Sequence, residues 1–285
     1  MTCRLLLIGG TGFVGLAVKK FLMAQGAVVF EIRRPGSAAC EDGKIFRVSQ
    51  EGDFELGELC VFLASNGIDA IVHCGNRFEE SPSLEGGDGM VVSNFVVPAR
   101  VLKAAHQAGV GKFINLASGW QLNPSMRKSS PDYVSSKEAF RAFLNVYGQL
   151  LTVHSVFVNE LFGPADSRPK LINELIRCAQ TGDHMVINSP ATTLGLSSVF
   201  RLASEIFGLV CQKIERPSEY LYENYGPVSI SSLIKVVESA VGAKLSWSSA
   251  QMEPRTLISS TMRRFGGQPM DLLFDDILAT IPESQ

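Results

Sequence analysis

The chain has 285 residues, a formal net charge of −2, and 46% hydrophobic against 19% charged residues, which is typical of a globular protein rather than a disordered one. The small net charge gives no electrostatic basis for binding nucleic acid or a membrane surface, and no stretch is long and apolar enough to predict a membrane span. Six scattered cysteines, without a CxxC pair or clustered histidines, predict reduced thiols in the cytoplasm and no metal site.

The first predicted element is a buried strand that runs into a glycine turn and then a helix. Leu5 to Ile8 are all apolar, as in the central strand of a parallel sheet. Three glycines then recur at every third residue, which suits a tight turn, a close approach to a pyrophosphate and close packing of helix on strand. The helix from Phe13 to Gln25 points its N-terminus at the same place. The predicted cofactor contacts here are Gly9, Thr11, Gly12, Phe13, Val14 and Gly15.

A second strand, predicted over Ala27 to Ile32, is followed by Arg33 and Arg34. In a dinucleotide-binding fold the residue just past this strand faces the adenosine ribose. Arginine there suits a 2′-phosphate, whereas an acidic residue accepts hydrogen bonds from a free 2′-hydroxyl. We therefore favour NADP as the cofactor, with Arg33 and Arg34 as contacts, while Glu31 keeps NAD open.

Two more strands are predicted over Ile45 to Ser49 and Asp69 to Cys74, with a helix from Phe54 to Asn66 between them. Asp53 is placed to cap that helix. The polar segment after the fourth strand is a candidate ligand loop, because loops at the carboxyl ends of parallel strands bind ligands. It supplies Arg77 and Glu79 as candidate substrate contacts. A helix follows over residues 91–108, in which Pro98 predicts a kink or a late start.

The predicted chemistry lies after the fifth strand, Lys112 to Ala117. Ser118 stands at the end of that strand, and Tyr133 and Lys137 open a long helix four residues apart, so they share one face. A lysine cation close to a tyrosine stabilises the phenolate and makes the phenol a usable acid or base. Together with the serine hydroxyl, these groups suit proton transfer at an alcohol or carbonyl oxygen while hydride moves at the adjacent carbon.

The turn GGTGFVG, the YxxxK pair and the serine at a strand end resemble, in this order, the extended short-chain dehydrogenase/reductase family, also called the NAD-dependent epimerase/dehydratase family. The resemblance covers nearly the whole chain. It implies that Tyr133 is the general acid/base, that Lys137 holds the nicotinamide ribose and that Ser118 orients the carbonyl. It also implies cofactor contacts at Asp53, Cys74, Gly75 and Asn94, and it makes His73 a strand residue rather than a catalyst.

The same resemblance implies an α/β fold: a Rossmann-type, doubly wound parallel sheet with a smaller, discontinuous C-terminal lobe that binds substrate. The cofactor domain is expected over residues 1–163 and about 196–224, and the lobe over 164–195 and 225–285. A sixth strand is predicted over Leu151 to Val158, in the cofactor domain. A helix over Arg168 to Gln180 and a helix after Pro227, capped by Ser229, are predicted in the lobe. The further candidate substrate contacts are Gly119, Trp120, Asn159, Glu160, Lys170 and Arg177.

The family contains epimerases, dehydratases and reductases of nucleotide sugars. Dehydratases commonly carry Asp-Glu after the serine, and this chain has Gly119 and Trp120 there, which argues against dehydration. Arg33 favours NADP, and a cofactor that is consumed as a reductant fits a ketoreductase better than an epimerase. The short interval between Ser118 and Tyr133, the segments 74–80 and 94–102 and the compact length resemble 4-keto-6-deoxyhexose reductases of the CDP-paratose and CDP-abequose synthase type. We expect an NADPH-dependent reductase that delivers hydride to the C4 ketone of a nucleotide-linked 4-keto-6-deoxy sugar, with Tyr133 as the acid; the expected binding partner is a nucleotide sugar or other small carbonyl compound. An epimerase with tightly held NAD and a non-catalytic NAD(P) sensor are the alternatives, and a homodimer is expected by resemblance.

Overall fold

The computed structural model describes residues 2–36, 44–79, 84–211, 216, 218–254, 262–269 and 271–281. The chain divides into two compact units, one made of Met1–Phe157 and Ala203–Tyr220 and the other of Val158–Leu202 and Leu221–Gln285. Each unit is therefore assembled from two stretches of chain. Among the helices of the described ranges, none is both long and apolar enough to cross a bilayer.

The first half of the chain alternates strands and helices. The strands are β1 (Arg4–Ile8), β2 (Val28–Arg33), β3 (Ile45–Arg47), β4 (Ala70–His73), β5 (Lys112–Ser118) and β6 (Thr152–Val158). The helices are α1 (Phe13–Ala24), α2 (Leu56–Ser65), α3 (Leu84–Val91), α4 (Val97–Gln107), α5 (Pro124–Ser129) and α6 (Pro131–Tyr147). A π-helical turn, Val92–Val96, joins α3 to α4, and a 3-10 turn, Gly119–Leu122, follows β5.

The second half continues the alternation with shorter strands. Its elements are β7 (Glu160–Phe162), α7 (Leu171–Thr181), β8 (His184–Ile187), β9 (Thr193–Ser198), α8 (Val199–Cys211), β10 (Glu219–Glu223), β11 (Tyr225–Ser229), α9 (Ile230–Val241), β12 (Ser246–Ser249), β13 (Arg264–Gly266) and α10 (Asp271–Leu278). Eight strands form one sheet in the order β13-β10-β6-β5-β4-β1-β2-β3. Strands β11, β9 and β7 form a small second sheet, and β12 pairs with β8.

Strand β1 is the centre of the large sheet, as predicted. It pairs in parallel with β2 on one side, Leu5 opposite Val29, and with β4 on the other, Leu5 opposite Ala70. Leu5, Leu6 and Leu7 are fully buried. From β1 the sheet continues through β2 to β3 on one side and through β4 and β5 to β6 on the other, so the strand order reverses between β1 and β4. In open α/β sheets, ligands bind at the carboxyl ends of the strands on either side of such a reversal. The predicted Rossmann-type, doubly wound α/β fold is confirmed.

Each unit has its own apolar core. In the first unit, helices α2 and α4 pack with α6 on one face of the sheet, and their apolar side chains join Leu6 and Phe113 in one cluster. In the second unit, α7, α9 and α10 pack with the strands β9 and β11 around Leu196 and Leu233. Burying a leucine side chain of this kind stabilises the folded state by about 1.5–3 kcal/mol.

Several local predictions are tested by these bounds. Ser229 caps α9 by accepting a hydrogen bond from the backbone N–H of Ser232, as predicted. The irregularity predicted at Pro98 is confirmed, because the chain passes through the π-helical turn and starts α4 one residue before the proline. The cap predicted at Asp53 is wrong: α2 starts at Leu56 with Glu55 as its N-cap residue, and the Asp53 carboxylate pairs instead with Arg100 at 2.5 Å.

Candidate active site

The glycine turn between β1 and α1 is shaped by close backbone contacts. Gly9 has a φ of +82°, and a Cβ there would lie 2.5 Å from the backbone of Gly75, at the end of β4. A Cβ on Gly15 would lie 2.0 Å from the carbonyl oxygen of Gly9, so this position lets the helix pack on the turn. Gly12 differs from both, because its Cβ would meet only the Gly9 oxygen, at 3.6 Å. The space beside Gly12 is therefore open, so that a pyrophosphate can come close to the protein backbone there.

The N-terminus of α1 fits a diphosphate. Gly12 is its N-cap residue and provides no side-chain cap, and the first turn of the helix carries no acidic residue. N–H groups and the positive end of the helix dipole therefore face this position, and the helix's own first turn carries no carboxylate that would compete for them. Thr11, Phe13 and Val14 complete the turn at the same helix end. The cradle fits the pyrophosphate of a dinucleotide cofactor.

Strand β2 ends one residue later than predicted, and this extra residue, Arg33, has its side chain buried. The strand extends to Arg33, whose side chain is only 7% exposed and bonds to the Glu31 carboxylate on the same face of the strand. Glu31 is also paired with Lys19 of α1 at 2.6 Å, and the two cations hold the pKa of this buried carboxyl below its ordinary value against the opposing effect of burial. Arg34 donates to the Ser93 hydroxyl at 3.1 Å. The arginine that we assigned to the cofactor is thus one of two cations on a buried carboxylate.

Glu31 also lies beside the glycine turn, a contact that sequence reasoning did not find. A Cβ on Gly10 would come within 3.1 Å of the Glu31 carboxyl group. Lys19, Glu31 and Arg33 therefore form a charged group with a net charge of +1 at the corner between the turn and β2. Lysine and arginine on one carboxylate leave positive potential for an anion at this corner.

The loop after β4 is anchored by Asn94, in the π-helical turn. The Asn94 side chain accepts a hydrogen bond from the Arg77 backbone N–H at 2.9 Å and donates to the Arg77 carbonyl oxygen at 2.9 Å. It also donates to the hydroxyl of Ser136 on α6 at 3.1 Å. Asn94 is 1% exposed, and these bonds use both N–H groups of its amide and one acceptor position of its oxygen, so the side chain clamps the loop; its predicted cofactor contact stays a prediction.

Residues 73 to 79 lie between this clamp and the glycine turn. His73 is buried and bonds through Nδ1 to Asn115 at 3.0 Å, which confirms it as a strand residue. Burial lowers the pKa of His73 to about 3 and raises the pKa of the Cys74 thiol to about 12, so both groups are neutral. Arg77 is exposed and pairs with Glu79 at 2.6 Å, so the two predicted substrate contacts bind each other.

Ser118 lies at the end of β5, as predicted, where it begins the 3-10 turn. Its Oγ accepts a hydrogen bond from the Trp120 backbone N–H at 3.2 Å, so its own hydroxyl hydrogen is left to point elsewhere. Its backbone N–H donates to Gln121 Oε1 at 2.9 Å, and Gln121 Nε2 donates to Glu138 of α6 at 2.8 Å. Gly119 is buried in the same turn. Gln121 therefore ties the serine to the helix that carries the tyrosine and lysine.

Tyr133 and Lys137 share the inner face of α6, and both are buried. Lys137 Nζ donates to the carbonyl oxygen of Leu116 in β5 at 3.1 Å and lies 5.9 Å from the centre of the Tyr133 ring. Burial is the main reason that the pKa of Lys137 falls, to about 8. At neutral pH the ammonium form still predominates, so the cation remains available beside the phenol.

Two aromatic side chains enclose the Tyr133 ring. Phe78, from the loop after β4, lies 5.2 Å from Tyr133 between ring centres, and Trp120 lies 5.8 Å from it. Phe78 and Trp120 also contact each other at 5.4 Å, and all three pairs are edge-to-face. Trp120 was among the predicted residues, whereas Phe78 was missed, although it is a large apolar residue in a polar loop. It is 43% exposed.

The remaining predicted substrate residues belong to the second unit. The Asn159 side chain donates to Glu223, whose carboxyl pKa is raised by burial. Lys170 and Glu160 form an ion pair of 3.6 Å. Arg177 is exposed and pairs with Glu174 at 3.0 Å and Asp183 at 2.5 Å. Each of these groups therefore has a charged partner within its own unit.

A Rossmann-type sheet, a glycine turn that fits a diphosphate, a buried tyrosine-lysine pair on α6 and a serine at the end of β5 define an NAD(P)-dependent enzyme of the oxidoreductase type. The model of the NAD dependent epimerase/dehydratase family matches residues 5–195. The chain belongs to this family and is an enzyme of the kind that acts as an epimerase, dehydratase or reductase of sugar nucleotides with a nicotinamide dinucleotide cofactor.

Known proteins similar to this chain agree with that assignment. The chain is 23% identical over 221 residues to CDP-abequose synthase of Yersinia pseudotuberculosis, with 73% of each chain covered. The enzyme WbmH of Bordetella bronchiseptica, solved in complex with NAD+, has a TM-score of 0.75 at 17% identity, over 99% of this chain and 98% of that one. UDP-glucose 4-epimerase of Thermus thermophilus, solved with NAD, has a TM-score of 0.68 at 18% identity, over 98% and 97%. At these identities the two structures support the fold alone.

Proposed function

We propose that the protein is an NADPH-dependent reductase that delivers hydride to the C4 ketone of a nucleotide-linked 4-keto-6-deoxy sugar. The single observation that carries this choice within the family is the similarity to CDP-abequose synthase, which extends over 73% of both chains. The Tyr133 and Lys137 geometry supplies the proton chemistry that a ketone reduction needs, because Lys137 lies 5.9 Å from the phenol ring.

The residues of the chain have distinct roles in this proposal. Tyr133 donates its phenol proton to the alkoxide oxygen that develops as the ketone is reduced. The Ser118 hydroxyl donates to the same oxygen and orients the carbonyl. Lys137 is a cation beside the phenol and favours its anion once the proton has left. When bound, NADPH supplies the hydride.

The cofactor is proposed to lie along the carboxyl edge of the sheet. The glycine turn and the N-terminus of α1 hold the diphosphate, Lys137 holds the nicotinamide ribose, and Cys74 and Gly75 line the cleft. Arg33, with Arg34 beside it, is proposed to bind the 2′-phosphate of NADP. Lys19 supports this assignment, because with Arg33 it leaves the Glu31 corner with a positive charge.

Sugar and nucleotide are proposed to contact the loop after β4, the 3-10 turn after β5 and the second unit. Arg77, Glu79, Gly119 and Trp120 are the contacts in the first unit. Lys170 and Arg177 are those of the lobe that we assign to 164–195 and 225–285, and Asn159 and Glu160 lie just before this lobe in the chain. We also propose that the enzyme is a cytoplasmic homodimer, as family resemblance implies.

An epimerase with tightly held NAD is the second candidate. The observation that favours it is the hydrogen bond between Arg33 and Glu31, because it engages the arginine that we propose for the 2′-phosphate of NADP. The fold of UDP-glucose 4-epimerase from Thermus thermophilus, solved with NAD, extends over 98% of this chain. In this case Glu31 or a neighbouring group would face the free 2′-hydroxyl of the adenosine ribose of NAD. The cofactor would be reduced and reoxidised within each turnover.

One set of assays separates these candidates. Purified protein is mixed with NADPH and a nucleotide-linked 4-keto-6-deoxy sugar, and NADPH consumption is followed in wild type and Tyr133→Phe. Consumption that the Tyr133→Phe variant lacks supports the reductase. NAD that co-purifies and survives gel filtration, with interconversion of nucleotide sugars, supports the epimerase instead. Cofactor binding without turnover of any ketone contradicts both and leaves a sensor.

A further inference from the structure

The loop Cys74–Glu79 brings a hydrogen-bond donor to the reacting atom of the tyrosine. Asn76 Nδ2 donates to the phenol oxygen of Tyr133 at 3.3 Å. Two residues later, Phe78 contacts the ring of the same tyrosine at 5.2 Å. One loop therefore contacts both the ring and the oxygen of the residue that we propose as the acid.

The position of Asn76 is fixed from two sides. On one side Gly75 packs on the glycine turn, where a Cβ on Gly9 would lie 2.5 Å away. On the other side the Asn94 side chain bonds to both backbone groups of Arg77 and to Ser136. Ser136 in turn donates to the carbonyl oxygen of Tyr133 at 2.9 Å, so the clamp holds the loop against the very turn of helix that carries the tyrosine.

We propose that Asn76 is a positioning residue for proton transfer: its amide N–H engages the Tyr133 oxygen and leaves the phenol hydrogen directed at the substrate. A phenol oxygen donates one hydrogen bond and accepts others. When a neighbour donates to it, its own hydrogen must point to a different partner. The inference rests on the proposed role of Tyr133 as the acid.

A donor at the phenol oxygen also favours the anion that remains after proton transfer. The Lys137 ammonium donates to the Leu116 carbonyl oxygen, whereas the Asn76 amide donates to the phenol oxygen itself. The charged side chains of α6 are Asp132, Lys137, Glu138 and Arg141, of which the last two pair with each other. Neighbouring segments include Arg77, Glu79 and Cys74 on the loop, Asp88 on α3, Arg127 and Lys128 on α5, and His73 at the end of β4. Cys74 and His73 are neutral at pH 7, and Arg77 is paired with Glu79.

The test uses two replacements of Asn76 in the enzyme loaded with NADP+. Asn76→Ala removes the donor, and Asn76→Asp keeps the shape but offers an acceptor that takes the phenol hydrogen. Tyrosine labelled with 13C at Cζ reports the titration of each phenol, and Tyr133→Phe assigns the Tyr133 signal among the five tyrosines. We expect the pKa of Tyr133 to rise by roughly half to one pH unit in Asn76→Ala, and further in Asn76→Asp.

Turnover gives the second readout. With a substrate that the wild type reduces, kcat should fall roughly 2- to 10-fold in Asn76→Ala and more in Asn76→Asp. The alkaline limb of the pH profile of kcat should move to higher pH in Asn76→Ala and further in Asn76→Asp, as the NMR titration does. A Tyr133 titration that is identical in wild type and both variants overturns the inference, as does an Asn76→Asp variant more active than Asn76→Ala. If no ketone is reduced by wild type while the NMR order holds, the proposed function fails and the positioning of the phenol stands.

Discussion

Replacing Lys137 with methionine should make the stability of the first unit less dependent on pH. Lys137 is 7% exposed, and burial lowers its pKa from the ordinary value of 10.5 to about 8. Below pH 8 the lysine is protonated in both the folded and the unfolded chain, and the folded state bears the cost of a buried charge. Between pH 8 and 10.5 the unfolded chain binds more protons than the folded one, so the free energy of unfolding rises with pH. Above pH 10.5 the gain is complete.

The size of this effect follows from the same two values. A separation of roughly 2.5 pH units, at 1.36 kcal/mol for each unit, corresponds to about 3 kcal/mol. Lys137→Met removes the proton equilibrium and keeps much of the side-chain volume. The difference in the free energy of unfolding, wild type minus variant, should therefore increase by about 3 kcal/mol from pH 7 to pH 10.5, because other titrating groups cancel.

Urea unfolding of the nucleotide-free protein measures this difference. The chain has two tryptophans, Trp120 in the first unit and Trp247 in the second, so a Trp247→Phe background makes fluorescence report the unit that contains Lys137. Far-UV circular dichroism must give the same dependence on urea for the two-state treatment to hold. A difference that is flat, or that falls, between pH 8 and 10.5 refutes the idea that burial lowers the pKa of Lys137 in the folded protein.

Three further changes test the parts of the site. Asn94→Ala should destabilise the first unit by roughly 2–4 kcal/mol in urea unfolding, because it leaves buried hydrogen-bond partners unsatisfied. Ser136→Ala removes a smaller part of the same network and should cost about 1 kcal/mol. Equal effects of the two variants would contradict the clamp. Gly15→Ala should weaken NADPH binding, measured by calorimetry, more than 10-fold, because its Cβ would lie 2.0 Å from a carbonyl oxygen. The control is Gly57→Ala, whose Cβ would meet no atom within 4 Å and which should leave NADPH binding unchanged. Glu31→Gln should raise the ratio of NADPH to NADH affinity, because it removes the anion that pairs with Lys19 and Arg33; an unchanged or lower ratio would argue against a 2′-phosphate at this corner.

The parts of the site that sequence could predict are those fixed by local geometry. The spacing of Gly9, Gly12 and Gly15 determines the turn, and the interval between Tyr133 and Lys137 puts both on one face of a helix. These positions depend on residues less than two helical turns apart. The structure accordingly has them in the predicted elements.

The parts that sequence could not predict depend on contacts across the chain. Asn94 bonds to residues 17 and 42 positions away, and nothing in its own segment indicates those partners. Arg33 was expected in a loop, but one more residue of strand puts it on the same face as Glu31, where the two side chains pair. Asp53 was expected to cap a helix, yet the cation of Arg100 binds it.

The measurement that tests the central claim most directly is the transfer of label from NADPH carrying deuterium at C4 of the nicotinamide ring. The account predicts that the wild-type enzyme places one deuterium at C4 of the sugar of a nucleotide-linked 4-keto-6-deoxy substrate, and that Tyr133→Phe loses most of this activity while still binding NADPH. A product without deuterium, or full transfer by Tyr133→Phe, would contradict it.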